Sequence, residues 1–316
     1  MKYRQPVLDR GSRRFLQWLT PVFRPLWRLR MARVHVLGGG TPTPTPTRFG
    51  SAYVVEVAGE HLMFDCGPAA THKLVKAGLF PTDIDHLFFT HHHFDHDIDY
   101  PCFLLCRWDQ SIGQENVLSA YGPALTEKIT HEIVSEDGMF SHDWKARVGH
   151  PLSQQVYVNR GGVLPRRPPV VNATDIEAGW VGTGENWLVR TGHAKHVQPF
   201  LDSVAYRLET ADGTIVFTGD TSPCDEIVEL AKGADLLVCM CWDEQQEMEA
   251  NGESVGQCGT TGAARMAEQA GVGRLVLTHM GPRISAHGPL ERAIADVART
   301  YSGSVEYVEE LGVIDL

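Results

Sequence analysis

The sequence predicts an α/β fold in which short buried strands alternate with helices. Mostly apolar segments at residues 236–239, 275–278 and 305–308 have the length of strands and are separated by segments with helical spacing. Strands that alternate with helices in this way favour a parallel sheet. Polar side chains also gather directly after the apolar run at residues 86–90, and open α/β folds bind their ligands at the carboxyl ends of strands.

The first half of the chain begins with strands. A predicted strand at residues 33–37 ends at three consecutive glycines, and a run of alternating Thr and Pro follows. This run favours extended backbone, because each Pro fixes φ and biases the residue before it away from helix. Further predicted elements are a hairpin around Gly59 with strands at residues 52–57 and 61–64, strands at 86–90 and 117–121, and helices at 71–78, 99–108 and 123–134.

One long segment in the middle of the chain has weak periodicity. Residues 138–169 have several turn residues and a weak helical pattern, so we expect a lid over the site or an interface insertion. The sequence Ala211-Asp212-Gly213 predicts a second hairpin. The other predicted elements are strands at residues 187–191, 203–209, 214–218, 236–239, 275–278 and 305–308 and helices at 225–232, 261–270 and 290–300.

The composition limits the class of protein and its partners. A chain of 316 residues with a hydrophobic fraction of 43% can bury a full core. A net charge of −11 argues against a broad nucleic-acid-binding surface, because phosphate contacts need clustered Lys and Arg. The seven cysteines form an odd set without a Cys-x-x-Cys motif, which indicates reduced thiols and a cytoplasmic protein.

Residues 1–32 are predicted to form a basic, aromatic N-terminal arm. Eight Lys or Arg side chains in the first thirty residues oppose a single Asp, and Phe, Trp and Leu residues are interleaved among them. No stretch of the arm is long and apolar enough for a membrane span. We expect an amphipathic arm that packs on its own domain or on a sister subunit, and attachment to a membrane surface is the alternative.

A motif rich in His and Asp follows the predicted strand at residues 86–90. Because alternate residues of an extended segment share a face, His91 and His93 should point to one side. Asp95 and His96 follow at the turn, where the chain can direct them towards a second point. Imidazole and carboxylate together suit zinc or a similar divalent metal. Four such donors within six residues predict a metal site rather than a His-rich surface loop.

Four motifs together resemble the metallo-β-lactamase superfamily. They are, in chain order, the H-x-H-x-D-H segment at residues 91–96, Gly192-His193-Ala194-Lys195-His196, Phe217-Thr218-Gly219-Asp220-Thr221 and Leu277-Thr278-His279. The resemblance extends from residue 33 to residue 316 and is specific, because separate motifs agree in type and in order. It implies an αββα sandwich, a single hydrolase domain at residues 33–316 and a dinuclear metal site.

The resemblance also implies seven metal-binding side chains. The first metal takes His91, His93 and His196, the second takes Asp95, His96 and His279, and Asp220 bridges the two. Asp95 and Asp220 are the expected catalytic carboxylates. His193 is the alternative to His196 as the third ligand of the first metal. His92 should point away from the metals on strand alternation, and Asp65 should orient the motif loop from below.

Two zinc ions are the expected cofactors, because the ligand set is complete and the chain shows no sign of a flavin domain. Manganese and iron are the alternatives, since diiron branches share the fold. Two cations about 3.5–4 Å apart can lower the pKa of a shared water towards neutrality and polarise the scissile oxygen. The expected reaction is therefore hydrolysis without a protein nucleophile.

Within the superfamily, the early Gly-rich loop, the segment Arg48-Phe49-Gly50-Ser51 and the bridging motif resemble the ribonuclease Z and arylsulfatase-like branch. Two departures argue against an RNA substrate. The stretch between His196 and Asp220 has no room for a tRNA-clamping arm. Gln257 stands where the branch has a proton-donating His, and Gln cannot act as a general acid. Replacements for that acid would have to come from residues such as Asp243, Glu244 and His287.

The sequence therefore predicts a dinuclear zinc hydrolase that acts on a small ester-like, lactone, aryl sulfate or phosphodiester substrate. The expected partners are a small-molecule substrate and a second copy of the chain in a dimer, and nucleic acid is not expected as a partner. The alternatives are a ribonuclease Z-type phosphodiesterase that acts on RNA, an iron-dependent oxidoreductase of the same fold, and a non-catalytic binding protein.

Overall fold

The structure is a computed structural model that describes residues 31–112, 116–286, 288–307 and 309–316. The predicted N-terminal arm lies outside the described residues, except for its last two positions. Within the described ranges, no helix is both long and apolar enough to cross a membrane. Two seven-stranded sheets and the helices that flank them make up this part of the chain.

The first sheet combines the N-terminal strands with one strand from the end of the chain. Its strands are β1 (Arg33–Gly39), β2 (Ser51–Val57), β3 (Glu60–Phe64), β4 (His86–Phe88), β5 (Leu118–Gly122), β6 (Val171–Asp175) and β14 (Val313–Asp315). Their order in the sheet is β14-β1-β2-β3-β4-β5-β6. Pairing is antiparallel from β14 to β3 and parallel from β3 to β6. The hairpin predicted around Gly59 is β2–β3.

The second sheet has the same division into an antiparallel and a parallel half. Its strands are β7 (Val181–Thr183), β8 (Trp187–His193), β9 (Val204–Thr210), β10 (Gly213–Phe217), β11 (Leu236–Met240), β12 (Arg274–Thr278) and β13 (Ser304–Tyr307). They are arranged in the order β13-β12-β11-β10-β9-β8-β7. Pairing is antiparallel from β7 to β10 and parallel from β10 to β13.

Helices cover the outer face of each sheet. They are α1 (Ala70–Lys76), α2 (Phe94–Asp97), α3 (Tyr100–Gln110), α4 (Thr126–Val134), α5 (Ser141–Gly149), α6 (Pro151–Asn159), α7 (Asp225–Leu230), α8 (Gln245–Asn251), α9 (Thr260–Ala270) and α10 (Pro289–Ala298), with a 3₁₀ turn at Pro81–Asp83. Side chains of α1, α3 and α4 pack on the first sheet, and side chains of α7, α9 and α10 pack on the second.

The inner faces of the two sheets share one apolar core. Along β2, Tyr53 and Val55 face the second sheet, whereas Val54 faces the helices, as the two-residue period of a strand requires. The ring of Phe64 lies 5.1 Å from that of Phe88 in its own sheet and 4.4 Å from that of Phe217 in the other sheet. Burying each such ring contributes roughly 1.5–3 kcal/mol. The layers helix, sheet, sheet and helix confirm the predicted αββα sandwich.

The segment at residues 138–169 contains two helices, α5 and α6, rather than an irregular loop. Each helix buries one aromatic side chain, Trp144 in α5 and Tyr157 in α6, and this explains why the helical pattern in the sequence is weak. The segment packs on α3, where Trp108 Nε1 donates a hydrogen bond to the Arg167 carbonyl at 2.9 Å. Its role as a lid or an interface insertion stays a prediction.

The strand directions bring several loop segments to one edge of the sandwich. β8 and β10 both run antiparallel to β9, and β10, β11 and β12 run parallel to one another, so all four carboxyl ends meet at one edge of the second sheet. The predicted metal ligands follow β8, β10 and β12 in this sheet and β4 in the first. The Val204 amide donates to the Thr90 carbonyl at 2.9 Å and so joins the two sheets beside the motif.

Candidate metal centre

Four side chains form a first ligand group, namely His91, His93, His196 and Asp220. One donor atom of each lies within 4.8 Å of the others. His93 Nδ1 lies 3.0 Å from His91 Nε2 and 3.1 Å from His196 Nε2. His196 Nε2 lies 3.9 Å from Asp220 Oδ2. Three imidazole nitrogens and a carboxylate make a donor set that zinc and similar divalent metals accept.

Three side chains form a second ligand group, namely Asp95, His96 and His279, whose donor atoms also lie within 4.8 Å of one another. Asp95 Oδ2 lies 3.1 Å from His279 Nε2 and 3.6 Å from His96 Nε2. His279 has a positive φ of 50°, which is uncommon for a residue other than Gly. Backbone conformations of this kind cluster at functional sites, where the surrounding structure holds them.

The carboxylate of Asp220 lies between the two groups. Its Oδ1 is 3.5 Å from His96 Nε2, and its Oδ2 is 3.4 Å from His279 Nε2. Gly219 allows this position, because its φ is +56° and a Cβ there would lie 2.6 Å from the Cβ of Thr90. Asp220 can therefore contact a cation in either group, as the predicted bridging role requires.

His92 lies inside the motif but points away from both ligand groups. Its Nε2 lies 2.8 Å from the Thr126 hydroxyl, and its Nδ1 lies 3.2 Å from Asp97 Oδ2. The alternation of side chains along an extended segment predicts this direction. His92 thus holds the motif loop against the start of α4, while its two neighbours face the cluster.

Asp65 supports both ligand groups from beneath the motif loop. Its Oδ2 accepts from His96 Nδ1 at 2.7 Å, and its Oδ1 accepts from the Thr90 amide at 2.7 Å. The Thr90 hydroxyl also donates to Asp65, and it lies 3.0 Å from His91 Nδ1. A carboxylate that holds one ring nitrogen fixes the tautomer and aims the other nitrogen at a metal. The expected orienting role of Asp65 agrees with these contacts.

Of the two histidines at the carboxyl end of β8, the structure brings only His196 to the cluster. His196 is buried, and its Nδ1 lies 2.7 Å from the Gly256 carbonyl while its Nε2 faces His93. His193 is exposed at the end of the strand. The sequence could not reveal the role of Gly256, because every residue offers a backbone carbonyl.

Replacing His196 with Ala should empty the first metal position, whereas replacing His193 with Ala should leave it filled. His196 contributes a donor atom to the first group, but the exposed His193 does not. Elemental analysis of the two purified variants against the unchanged protein measures the difference. We expect a loss of about half the metal for His196→Ala, as a two-metal site predicts. Equal metal loss in both variants would contradict the assignment.

Two buried atoms show that the cluster fits divalent cations. His96 Nε2 and Asp220 Oδ1 make no hydrogen bond with any described residue, although both are buried. A buried polar atom without a partner costs roughly 1–3 kcal/mol. A cation placed between the two groups would satisfy both atoms, because imidazole nitrogen and carboxylate oxygen are its ordinary ligands.

The charges around the cluster favour the same conclusion. Burial, reinforced by the neighbouring imidazoles, holds the pKa of His91 well below its usual range, so this ring is neutral and free to bind a metal. Burial also lowers the pKa of His96, but the surrounding carboxylates outweigh it and raise the pKa to about 10. Those carboxylates belong to Asp65, Asp220 and Asp95. The second group therefore attracts positive charge, which a divalent cation supplies.

Two of the three residues considered as replacements for the missing acid, Asp243 and Glu244, form ion pairs with arginines. Arg283 Nη2 forms an ion pair with Asp243, and Arg292 Nη2 lies 3.3 Å from Glu244 Oε1. His287 lies outside the described residues. Gln257 follows the Gly256 carbonyl that binds His196, so it does lie next to the metal centre.

A family model described as a beta-lactamase superfamily domain matches residues 61–280, which is more than half of the chain. The chain belongs to the metallo-β-lactamase superfamily. It is a metal-dependent hydrolase, and the family and the seven-residue cluster together indicate a divalent metal as its cofactor. The resemblance inferred from the four sequence motifs is thereby confirmed.

Several relatives and solved structures are similar over nearly the whole chain. The Ribonuclease Z of Mycobacterium avium is 28% identical over 292 residues, which is 89% of this chain and 97% of the relative. The Ribonuclease Z of Mycobacterium bovis is 26% identical over 90% of this chain and 99% of the relative. The metallo-beta-lactamase fold protein YhfI of Bacillus subtilis superposes with a TM-score of 0.69 at 21% identity, covering 90% of this chain and all of that one. The short form of human tRNase Z superposes with a TM-score of 0.63 at 22% identity, covering 90% and 98%.

These relatives overturn the expectation that nucleic acid is not a partner. Proteins named Ribonuclease Z align with almost the full chain, so the alternative with an RNA substrate is better supported than a small ester or lactone. The expectation was wrong. It rested on the short stretch between His196 and Asp220, on Gln257 and on a net charge of −11, and a sum over the chain does not report where Lys and Arg cluster. Residues 197–219 do form only the hairpin β9–β10 and its flanking turns. Phosphate contacts can nevertheless come from any basic surface.

Proposed function

We propose that this protein is a ribonuclease Z-type phosphodiesterase that hydrolyses RNA with two divalent metal ions, which we expect to be zinc. The observation that carries the substrate class is the alignment with the Ribonuclease Z of Mycobacterium avium over 97% of that protein. The paired ligand groups support the reaction type, because two-metal sites are frequent in phosphatases and nucleases. Manganese and iron stay as alternatives to zinc.

The proposed ligands are the seven clustered side chains. The first metal would be held by His91, His93 and His196, the second by Asp95, His96 and His279, and both by Asp220. When bound, two divalent cations activate water near neutral pH and stabilise the charge that develops on a phosphodiester in hydrolysis. Asp95 and Asp220 are the carboxylates of the set, and we assign the catalytic role to them.

The remaining residues hold these ligands in position. Asp65 fixes the ring of His96, and the Gly256 carbonyl fixes the ring of His196. Rings held in this way cost no reorganisation during the reaction. Gln257 follows Gly256 in the chain, and its side chain carries no acidic proton. Because Gln257 supplies no acidic proton, we expect the metal centre, with its ligands held in position, to stabilise the charge that develops on the leaving group.

We also propose a cytoplasmic location. All seven cysteines are free thiols, and four of them are buried, namely Cys66, Cys239, Cys241 and Cys258. Proteins of oxidising compartments commonly pair their cysteines, whereas cytoplasmic proteins keep them reduced. A precursor RNA would be available to the enzyme in the same compartment.

The proposed function predicts cleavage of a precursor tRNA that carries a 3′ trailer. The zinc-loaded protein should release the trailer at a single position, and a chelator should stop the reaction until zinc is restored. Denaturing gel electrophoresis of end-labelled RNA measures both results. A suitable control is His92→Ala, because His92 lies in the same motif but points away from the ligand groups.

A small activated phosphodiester, bis(4-nitrophenyl) phosphate, completes this test. Hydrolysis of this compound without any cleavage of the precursor would leave a metal-dependent hydrolase but reject RNA as its substrate. Cleavage of the precursor at scattered positions would reject the ribonuclease Z type, since a site-specific enzyme gives one product.

A further inference from the structure

One described segment of this acidic protein carries a net positive charge. Residues 138–169 contain five Lys or Arg and a single Asp, which gives a net charge of +4, whereas the whole chain has −11. The five basic side chains are Lys145, Arg147, Arg160, Arg166 and Arg167. We call these five residues the arginine surface. A cluster of this kind is the usual electrostatic mark of a phosphate-binding surface.

Three of the guanidinium groups converge on one carboxylate at the end of α3. Asp109 lies 2.9 Å from Arg166 Nη2, 3.3 Å from Arg160 Nη1 and 3.5 Å from Arg147 Nη1. Asp143 pairs with Arg147 as well, at 2.9 Å. Asp137 also lies near Lys145, so carboxylates offset part of the positive charge of the arginine surface.

Arg166 is the buried member of the arginine surface and shares the carboxylate of Asp109 with Arg147 and Arg160. It is buried, and its guanidinium carbon lies 4.0 Å from the centre of the Trp108 ring and 4.8 Å from that of the Tyr157 ring. Stacking on two rings holds the planar group in one orientation. The Trp108 Nε1 bond to the Arg167 carbonyl holds the next residue on α3. The surface is thus prepared before any ligand arrives.

The outer members of the surface are accessible. The side chains of Arg147 and Arg160 are 46% and 50% exposed, and Lys145 and Arg167 are also exposed. Beside them, Trp108, Tyr157 and Arg166 line a cavity of about 220 Å³. Guanidinium groups bind phosphate oxygens in pairs, and rings or guanidinium planes beside them can stack on bases.

We propose that the arginine surface binds the phosphate backbone of the RNA substrate at a place separate from the metal centre. The proposal rests on the proposed function and adds to it a second contact region. Helix α3 connects the two, because it begins just after the motif helix α2 and ends at Gln110 beside Asp109. A helix of 11 residues spans about 16 Å. A folded RNA is large enough to reach both ends.

An anionic lipid surface is the competing ligand of matching charge. Leu152 and Val163 in the same segment are 68% and 78% exposed, and apolar side chains beside basic ones also suit membranes. RNA is favoured for two reasons. A relative that aligns with almost the full chain is named Ribonuclease Z. A backbone contact at the end of α3 can also orient an RNA whose scissile bond lies near the beginning of that helix.

The test removes three exposed arginines together, as Arg147→Ala, Arg160→Ala and Arg167→Ala. The matched control removes three exposed cations outside the segment, as Arg190→Ala, Lys232→Ala and Arg299→Ala, each of which is also paired with a carboxylate. Both full-length proteins lose the same charge and keep the N-terminal arm. Cleavage of the trailer-bearing precursor tRNA is then measured across a series of salt concentrations. Equal metal content and melting temperature establish that both variants are folded.

The surface variant should lose roughly 10- to 100-fold in kcat/KM at moderate salt, mainly through a higher KM. The slope of log(kcat/KM) against log salt concentration should become less steep by the equivalent of about two to three phosphate contacts. The control variant should stay within about twofold of the unchanged protein. A third variant with Lys at the same three positions should recover the salt dependence, because it restores the charge.

The outcomes separate this inference from the proposed function. If the unchanged protein does not cleave the precursor, the proposed function fails and the inference falls with it. If it cleaves the precursor and the surface variant matches the control in KM and salt dependence, only the arginine surface is wrongly assigned. Weaker sedimentation of the surface variant with phosphatidylserine vesicles, at unchanged KM for RNA, would overturn the inference in favour of lipid.

Discussion

Replacing Asp220 with Ala should lower kcat/KM for RNA cleavage by at least roughly 10³-fold. A two-metal site supplies several kcal/mol of charge stabilisation in the transition state, and each 1.36 kcal/mol lost is tenfold in rate. Asp220 lies within 3.5 Å of His96, within 3.4 Å of His279 and within 3.9 Å of His196. Its removal therefore weakens both metal positions at once, whereas loss of a ligand from one group weakens one.

The matched control for this variant is Asp225→Ala, since Asp225 is an exposed carboxylate five positions further along the chain. Initial rates on the precursor tRNA and metal content per chain are the measurements. The control should retain both. Full metal content in Asp220→Ala together with a rate loss below about tenfold would show that this carboxylate is not shared by the two metals.

Most of the ligand set could be predicted because the chain itself places those residues together. His91, His93, Asp95 and His96 lie on one segment of six residues, the loop after β4 and the start of α2, and the spacing of His91 and His93 indicates that their rings share a face. The supporting contacts could be predicted only in part. Asp65 follows a recognisable strand, but the Gly256 carbonyl leaves no mark in a sequence.

The elements that sequence patterns did not indicate are those whose stability comes from distant partners. β7 and β14 are edge strands of three residues each. None of the residues of β7 and one of the residues of β14 is buried, and backbone pairing with β8 and β1 holds the two strands in place. They lack the apolar alternation that indicates a strand. α5 and α6 are concealed for a similar reason, since most of their residues remain exposed.

The substrate class could not be deduced from net charge, because charge acts locally at a binding surface. A chain with a net charge of −11 still concentrates five basic side chains in residues 138–169. Salt screens interactions beyond about 10 Å at moderate ionic strength, so acidic residues on the far side of the molecule do little to repel a phosphate bound there. Local clusters are therefore a better guide to an RNA partner than the total.

Replacing Asp65 with Asn should weaken metal binding at the second ligand group by roughly 10- to 100-fold, which is the usual effect of losing a partner of a metal-binding His. Asp65 accepts bonds from His96 Nδ1 and from the Thr90 amide, each at 2.7 Å. Asn has one accepting oxygen on its side chain, so it cannot serve both donors. If its amide nitrogen faces His96, the ring must take the tautomer that places a proton on the metal-facing nitrogen.

Asn is the informative substitution at this position because the backbone can keep its shape. Asp65 has a φ of 58°, a region in which Asn is well tolerated and Ala is strained. A loss of about 1–3 kcal/mol in unfolding free energy should accompany the weaker metal binding, since one buried donor loses its partner. Competition with a fluorescent zinc chelator and thermal unfolding measure the two effects, with Asp83→Asn as an exposed control. Unchanged zinc affinity in Asp65→Asn would mean that His96 is held by its other contacts, and Asp65 would then have no part in orienting the metal site.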